Sequence, residues 1–318
     1  MSRGRRGPPI APDGRRAAAL VGGVEAGGTK FVCAVGAGPD DLRARVVLPT
    51  TTPAETLAAV IAFFRAQSAR LGGLAAIGIG SFGPLGLNPA ETDFGHITST
   101  PKPGWQNVDL AGAIGRALQL PVALDTDVNA AALGEHRWGA AQGLDSFVYL
   151  TVGTGIGGGV MAEGRLLHGL VHPEIGHMRL PHDRQADPFA GACIFHGDCL
   201  EGLASGHALA QRWNAPAQLL PPAHPAWRLE AHYLALGLAN LVCTLSPQRL
   251  LLGGGVMRQR HLLPMIRQAM LAHLNGYVRA SSLLERVEEY VQAPQLGENA
   301  GVAGGLALAL ALDRRGRG

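Results

Sequence analysis

Leu124-Asp125-Thr126-Asp127-Val128-Asn129-Ala130-Ala131-Ala132-Leu133-Gly134-Glu135 sets a short apolar strand directly against an alanine-rich helix. The run from Pro121 to Leu124 has the length and character of a buried strand, so both acids fall where a strand feeds a helix N-terminus. Partial positive charge at a helix start favours a carboxylate, and a carboxylate at a cleft edge can take a proton from a substrate hydroxyl. The alternative use of Asp127 is an N-cap, because Asp before a helix is favoured on its own account. Glycine-rich loops on both sides in sequence, and a Cys/His cluster further on, weigh toward chemistry.

Upstream, the apolar run Ala18 to Val24 leads through Glu25-Ala26-Gly27-Gly28-Thr29-Lys30 into Phe31-Val32-Cys33-Ala34-Val35, which reads as a β-hairpin with a glycine tip. A Walker A loop needs Gly-Lys-[Ser/Thr] opening a helix; here the order is Gly-Thr-Lys and a strand follows. Downstream, Ser146 to Val152 runs into Gly153-Thr154-Gly155-Ile156-Gly157-Gly158-Gly159-Val160. Val160 and Met161 continue as a strand, so the glycine spacing is not a dinucleotide fingerprint, which requires a helix at that point. Each half therefore carries one glycine-tipped hairpin. Backbone N–H groups at such tips can bind phosphate oxygens, and two of them facing across a cleft would hold a triphosphate. An ordinary glycine turn is the alternative for each.

Between these landmarks lie a strand at Arg45 to Leu48, a helix from Pro53 to about Arg70, a buried strand at Ala75 to Gly80, a polar loop from Asn88 to Asn107, and a helix at Leu110 to Leu118. A further strand, Arg249 to Leu252, ends in Gly253-Gly254-Gly255, and Gly301 to Gly305 opens a last helix whose N-terminus could face a nucleotide. No short-period repeat is present. What recurs is glycine at strand ends.

The chain has 318 residues, enough for two domains, and is 47% hydrophobic and 16% charged, with no apolar stretch long enough to span a bilayer. Its formal charge is +3, but residues 1 to 19 carry +4 and the last six residues +2, so the body between them is about −3. A basic balance that belongs to the tails argues against a nucleic-acid surface. Four cysteines, two in one tight cluster, point to a reducing cytoplasm rather than a disulfide framework. That cluster is Cys193-Ile194-Phe195-His196-Gly197-Asp198-Cys199, with His177 upstream. Two thiolates and two imidazoles are a ligand set for a closed tetrahedral Zn²⁺ site; a pair of buried thiols beside a surface histidine is the alternative. Cys33 and Cys243 fall in apolar patterns and read as core, while His168, His172 and His182 read as bystanders, His182 being near enough to serve as a spare ligand.

With the two hairpins, the strand-end acid, Pro173-Glu174-Ile175-Gly176-His177, the loop Ile97 to Trp105 and the segment Cys193 to Gly206 in view, the chain resembles the ROK family of sugar kinases, and within it the bacterial ROK fructokinases. The quoted matches run from residue 20 to about residue 305. The resemblance implies an α/β, two-lobed actin/hexokinase/Hsp70-like ATPase fold with a nucleotide- and sugar-binding cleft between lobes. It implies a disordered basic tail over 1–18, a smaller lobe over 19–137 plus 299–318, and a larger lobe over 138–298. It further implies ATP-dependent phosphorylation of D-fructose to fructose 6-phosphate, with a ROK kinase for glucose, mannose or an N-acylhexosamine as the alternative. Asp127 stands at the position of the general base, and Gly83, Asn129, Glu174, His177 and Glu201 at positions that hold the sugar. Gly27, Gly28, Thr29, Lys30, Gly153, Thr154, Gly155, Gly157, Gly253, Gly254 and Gly255 would contact the nucleotide. His177, Cys193, His196 and Cys199 would bind structural Zn²⁺, Mg²⁺ would accompany ATP, and a homodimer is implied. The Cys-x-x-His-x-x-Cys order departs from the Cys-x-Cys-Gly of ROK glucokinases, which favours the fructokinase-like branch.

Overall fold

In the computed structural model, which describes residues 19–315, β1 (Val21–Ala26) turns back through Gly27-Gly28-Thr29 into β2 (Lys30–Gly38), and β3 (Asp41–Pro49) continues the antiparallel meander. The basic segment 1–18 lies outside the described residues. α1 (Pro53–Leu71) starts on an N-cap, Thr52, with proline in its first turn, and stops at Gly72, whose φ of 81° puts it in the left-handed conformation that ends many helices. β4 (Ile77–Ser81) then pairs parallel with β1.

The loop 88–107 is more ordered than its polarity suggests. β5 (His96–Ile97) and β6 (Val108–Asp109) pair antiparallel, and Ile97 and Trp105 are fully buried. Trp105 packs its ring on Phe31 and Phe82, at 5.5 and 5.6 Å between centroids, and its indole N–H donates to the Thr51 carbonyl at 3.0 Å. One aromatic with a satisfied polar edge thus anchors a segment that periodicity alone leaves as loop. α2 (Leu110–Leu118), β7 (Val122–Thr126) and α3 (Asp127–Trp138) follow, β7 parallel to β4.

The next strands are β8 (Phe147–Val152), β9 (Ile156–Ala162) and β10 (Arg165–Leu166), again an antiparallel meander. After α4 (Leu200–Ala204), α5 (Gly206–Trp213) and α6 (Ala226–Leu245), β11 (Leu250–Gly253) pairs parallel with β8. α7 (Leu262–Leu274), α8 (Ser281–Leu284) and α9 (Val287–Tyr290) lead to β12 (Val291–Gln292), parallel to β11, and the chain ends in α10 (Ala300–Arg315).

The contacts divide the chain into two compact units, one running to Ala130 and resuming at Gly301, the other Ala131–Ala300. Both divisions fall inside helices, α3 and α10, a few residues from the 137/138 and 298/299 read from sequence. The first unit holds a five-stranded sheet in the order β3-β2-β1-β4-β7, the second one in the order β10-β9-β8-β11-β12. Each sheet is a three-stranded meander extended by two parallel strands from its first strand, so the two units repeat one plan.

The core of the first unit gathers Val24, Phe31, Phe64, Ile77, Ile79, Trp105 and Ile114. α10 lies so close to this sheet that a Cβ on Gly78 would collide with the Gly305 carbonyl oxygen, which is why both positions need glycine. Cys33 is core as expected, its thiol pushed up to about 12 by burial. The core of the second unit is built around α6, with Trp227, Leu234 and Leu238 against Leu150 and Leu252. Cys243 is not part of it: the last turn of α6 leaves this residue exposed, and the many apolar residues of the helix hide its outer face from a reading of composition.

Candidate active site and metal centre

In the first unit the side chains sort themselves by hydrogen bonding at the start of α3. The Thr126 hydroxyl accepts from the Asn129 N–H at 3.1 Å, which makes Thr126 the N-cap and places Asp127 inside the first turn. The N-cap reading of Asp127 therefore gives way. Asp127 Oδ1 accepts from the Val128 N–H at 2.9 Å, and the half-buried residue sits where the partial positive end of the helix stabilises an anion. Asp125, the other acid, is buried, its Oδ1 accepting at 2.8 Å from both the Thr126 N–H and the Asn129 side-chain amide. It holds Asn129 in place. Asn129 Oδ1 in turn is buried with no hydrogen-bond partner among the described residues. A buried acceptor left alone costs on the order of 1–3 kcal/mol, a cost that a ligand hydroxyl would remove.

Gly83 lies in the loop after β4, whose neighbour Phe82 donates its N–H to the Ala26 carbonyl at 2.9 Å and so ties that loop to the base of the first hairpin. At the hairpin tip the Gly27 N–H closes on the Lys30 carbonyl at 3.0 Å, while Gly28, Thr29 and Lys30 are exposed.

In the second unit the tip between β8 and β9 is closed by the Gly153 N–H on the Gly155 carbonyl, 2.9 Å, and Thr154 stands exposed at its apex. Gly157 lies inside β9, opposite Thr151, rather than at the tip. Gly253 ends β11, also beside Thr151, and Gly254 has a φ of 94° with the Val152 backbone so near that no Cβ fits. Gly255 follows at the start of a short turn of helix.

Glu174 precedes and His177 ends the helical turn Ile175–His177, which packs on β9 so closely that Gly176 has no room for a Cβ beside the Ile156 carbonyl. Glu174 Oε1 lies 3.3 Å from Nδ1 of His172, a buried ring that sequence left as a bystander and that instead supports this acid. Glu201, in the first turn of α4, accepts from the Ile156 N–H through Oε2 at 2.9 Å.

The four expected metal ligands come together. His177 Nδ1 is 3.6 Å from the sulfurs of both Cys193 and Cys199, His196 Nδ1 is 3.6 Å from Cys193 Sγ, and all four ligand atoms lie within 4.8 Å of one another. A tetrahedral Zn²⁺ with ordinary Zn–S and Zn–N bonds has S···N edges of roughly 3.5 Å, so the donor set and its spacing fit the ion. Burial pushes the Cys199 thiol up to about 11, a penalty on ionisation that a divalent cation reverses. The loop is shaped by paired hydrogen bonds between Cys193 and Gly197, at 3.1 and 2.9 Å, with Gly197 at a φ of 67°.

Sequence reasoning passed over Asp198, whose only signal was an acid inside the Cys-x-x-His-x-x-Cys spacing. Its carboxylate meets Arg179 at 2.7 Å, Arg184 at 2.6 Å and His182 Nδ1 at 3.2 Å, and the His182 bond, with the two guanidinium groups, holds it down to about 2. His182 is consequently no spare ligand: its Nε2 lies 2.9 Å from the Asp187 carbonyl oxygen, and the ring is buried between two aspartates.

Against known proteins, the chain is 43% identical over 292 residues to a fructokinase of Pediococcus pentosaceus, covering 92% of this chain and 98% of that protein. It is 42% identical over 302 residues to a fructokinase of Zymomonas mobilis, covering 93% and 98%. Among solved structures, a ROK hexokinase from Thermus thermophilus superposes with a TM-score of 0.76 at 31% identity, covering 93% of this chain and 99% of that one. The fold is the α/β actin/hexokinase/Hsp70-like ATPase fold, with its two units repeating one sheet plan. The ROK family pattern matches residues 21–312, and the chain belongs to the ROK family.

Proposed function

We propose that this protein is a fructokinase, transferring the γ-phosphoryl group of ATP to O6 of D-fructose to give fructose 6-phosphate and ADP. The observation that carries the chemistry is Asp127 in the first turn of α3 with the cap already supplied by Thr126. A sugar hydroxyl is too weak an acid to ionise alone at neutral pH, so a carboxylate takes its proton as the oxygen attacks phosphorus and the bond to ADP breaks. Asn129, held by Asp125, offers its buried oxygen to a sugar hydroxyl, and Gly83, Glu174, His177 and Glu201 are assigned to the remaining sugar contacts. Backbone N–H groups of the hairpin tips at Gly27 to Lys30 and Gly153 to Gly155 take phosphate oxygens, and Gly253 to Gly255 border the nucleoside. Mg²⁺, delivered with ATP, supplies charge neutralisation on the phosphates.

His177, Cys193, His196 and Cys199 form a closed set, so Zn²⁺ there holds structure and leaves no position open for a reacting water. Thiols kept as ligands suit a reducing cytoplasm. The names of the two fructokinases support fructose as acceptor, while the name of the Thermus protein keeps a broader hexose range as the second reading. The test is product identification: ATP, Mg²⁺ and D-fructose with purified protein, read by ³¹P and ¹H NMR. Phosphorus coupled to the C6 protons is the expected result, and a 1-phosphate or no ADP-linked product would overturn the reading.

A further inference from the structure

The segment from Cys199 to His207 joins the metal centre to the second glycine hairpin. Cys199 is the residue that precedes α4, and the Leu200 N–H behind it donates to the Met178 carbonyl at 2.9 Å, next to the ligand His177. Three successive hydrogen bonds then leave this segment for the hairpin. Glu201 Oε2 accepts from the Ile156 N–H at 2.9 Å, the Gly206 N–H donates to the Gly153 carbonyl at 2.7 Å, and the His207 N–H donates to the Thr154 carbonyl at 3.3 Å. Within the hairpin, the Gly153 N–H to Gly155 carbonyl bond closes the turn beyond the Val152–Ile156 pair. A Cβ on Gly155 would lie 2.5 Å from Glu201 Oε2, so a side chain there would displace that carboxylate from the hairpin.

A glycine tip is costly to order, and an anion site made of backbone N–H groups works only when those groups already point the right way. Closing four ligands on one ion immobilises Cys199, and through α4 it sets the position of Glu201 and of the α5 start. We propose that the metal centre formed by His177, Cys193, His196 and Cys199 orders the second glycine hairpin through Glu201, Gly206 and His207, so that nucleotide affinity depends on a metal the nucleotide does not touch. Glu201 is then a positioning residue for the phosphate hairpin as well as a sugar contact. The nucleotide half of this rests on the reading of Gly153 to Gly155 as a phosphate loop.

The test uses full-length protein, without sugar, in four forms: as purified, stripped with a chelator, Cys193→Ser, and Glu201→Ala. Cys193 lies outside the segment 199–207, and serine keeps the Cβ that packs beside Gly202 of α4, so the change weakens the metal while retaining that packing. Glu201→Ala keeps all four ligands and serves if stripping unfolds the second unit. Two quantities are read, hydrogen exchange of the Ile156 and Gly206 amides, and the Kd of a non-hydrolysable ATP analogue with Mg²⁺ by calorimetry. Loss of amide protection together with a Kd weakened roughly tenfold, the cost of one hydrogen bond to a charged group, is expected in all three altered forms. Unchanged protection at Ile156 in metal-free, folded protein overturns the proposal, as does a Kd that stays constant while protection is lost. A Thr154→Pro variant separates the premises: if it too leaves the Kd unmoved, the phosphate-loop reading has failed along with the nucleotide half of the proposal.

Discussion

Thr126 and Asp127 could each cap a helix, but only a carboxylate is basic enough to take a proton from a sugar hydroxyl. The hydroxyl of Thr126 caps, and the carboxylate of Asp127 is left in the first turn. Substitution should separate the tasks. Asp127→Asn keeps shape and most hydrogen bonds but removes the proton acceptor, so kcat should fall on the order of 10²–10⁴-fold with little change in Tm or in KM for the sugar. Thr126→Ala removes the cap, about 1 kcal/mol of stability, and should lower Tm while leaving kcat near that of the parent. Steady-state kinetics and thermal melts on both variants decide the matter; an Asp127→Asn enzyme with more than about a tenth of parental kcat would exclude this residue as the base. At this scale the sequence was informative about which residue types gather and silent about how they pair. Asp127 and Asn129 were legible from their place at a strand end, whereas the choice of cap depends on which side chain turns back on the helix. His172 carried no signal and Asp198 only its place inside the Cys/His cluster, because an imidazole behind Glu174 and an acid between two guanidinium groups are contacts made by chain folding, not by spacing.

α6 contains the clearest conflict between local chemistry and burial. Glu230 lies on its fully buried face, neither carboxyl oxygen has a hydrogen-bond partner among the described residues, and burial raises it well above the ordinary 4.5, with Arg212 nearby opposing in part. The folded protein holds a proton there that the unfolded chain releases above pH 4.5, so the contribution of Glu230 is most favourable at or below that pH and worsens as pH rises. Glu230→Gln has no such proton to bind. The Tm of the variant minus that of the parent should therefore increase between pH 4.5 and pH 7, by a few degrees per pH unit at most. Calorimetry across that range checks it, and a difference independent of pH would mean that Glu230 stays ionised in the fold. Elements with a clear period or a glycine turn, such as α2, α3 and both hairpins, were readable in advance. The β5/β6 ribbon was not, since two-residue strands have no period to detect, and neither was the exposed side of α6.

At the scale of the whole molecule, the two units repeat a sheet order that no sequence repeat announces; only a glycine hairpin in each half hinted at it. Strand order is set by pairings between distant segments, and those are invisible to a local pattern. The Cys/His cluster belongs to this scale too, because His177 reaches it from a different turn than the Cys193 to Cys199 loop. Purified protein should contain about one Zn per chain by elemental analysis, and removing it should lower Tm, since binding energy at a closed site is folding energy. Fully stable, fully active protein without metal would contradict the assignment. The central claim is the acceptor, and its most direct measurement is kcat/KM with ATP and Mg²⁺ for D-fructose against glucose, mannose and N-acetylhexosamines. A pocket built to pair the hydroxyls of one sugar should prefer fructose by about tenfold or more; a higher kcat/KM for glucose or for an N-acetylhexosamine would contradict the account.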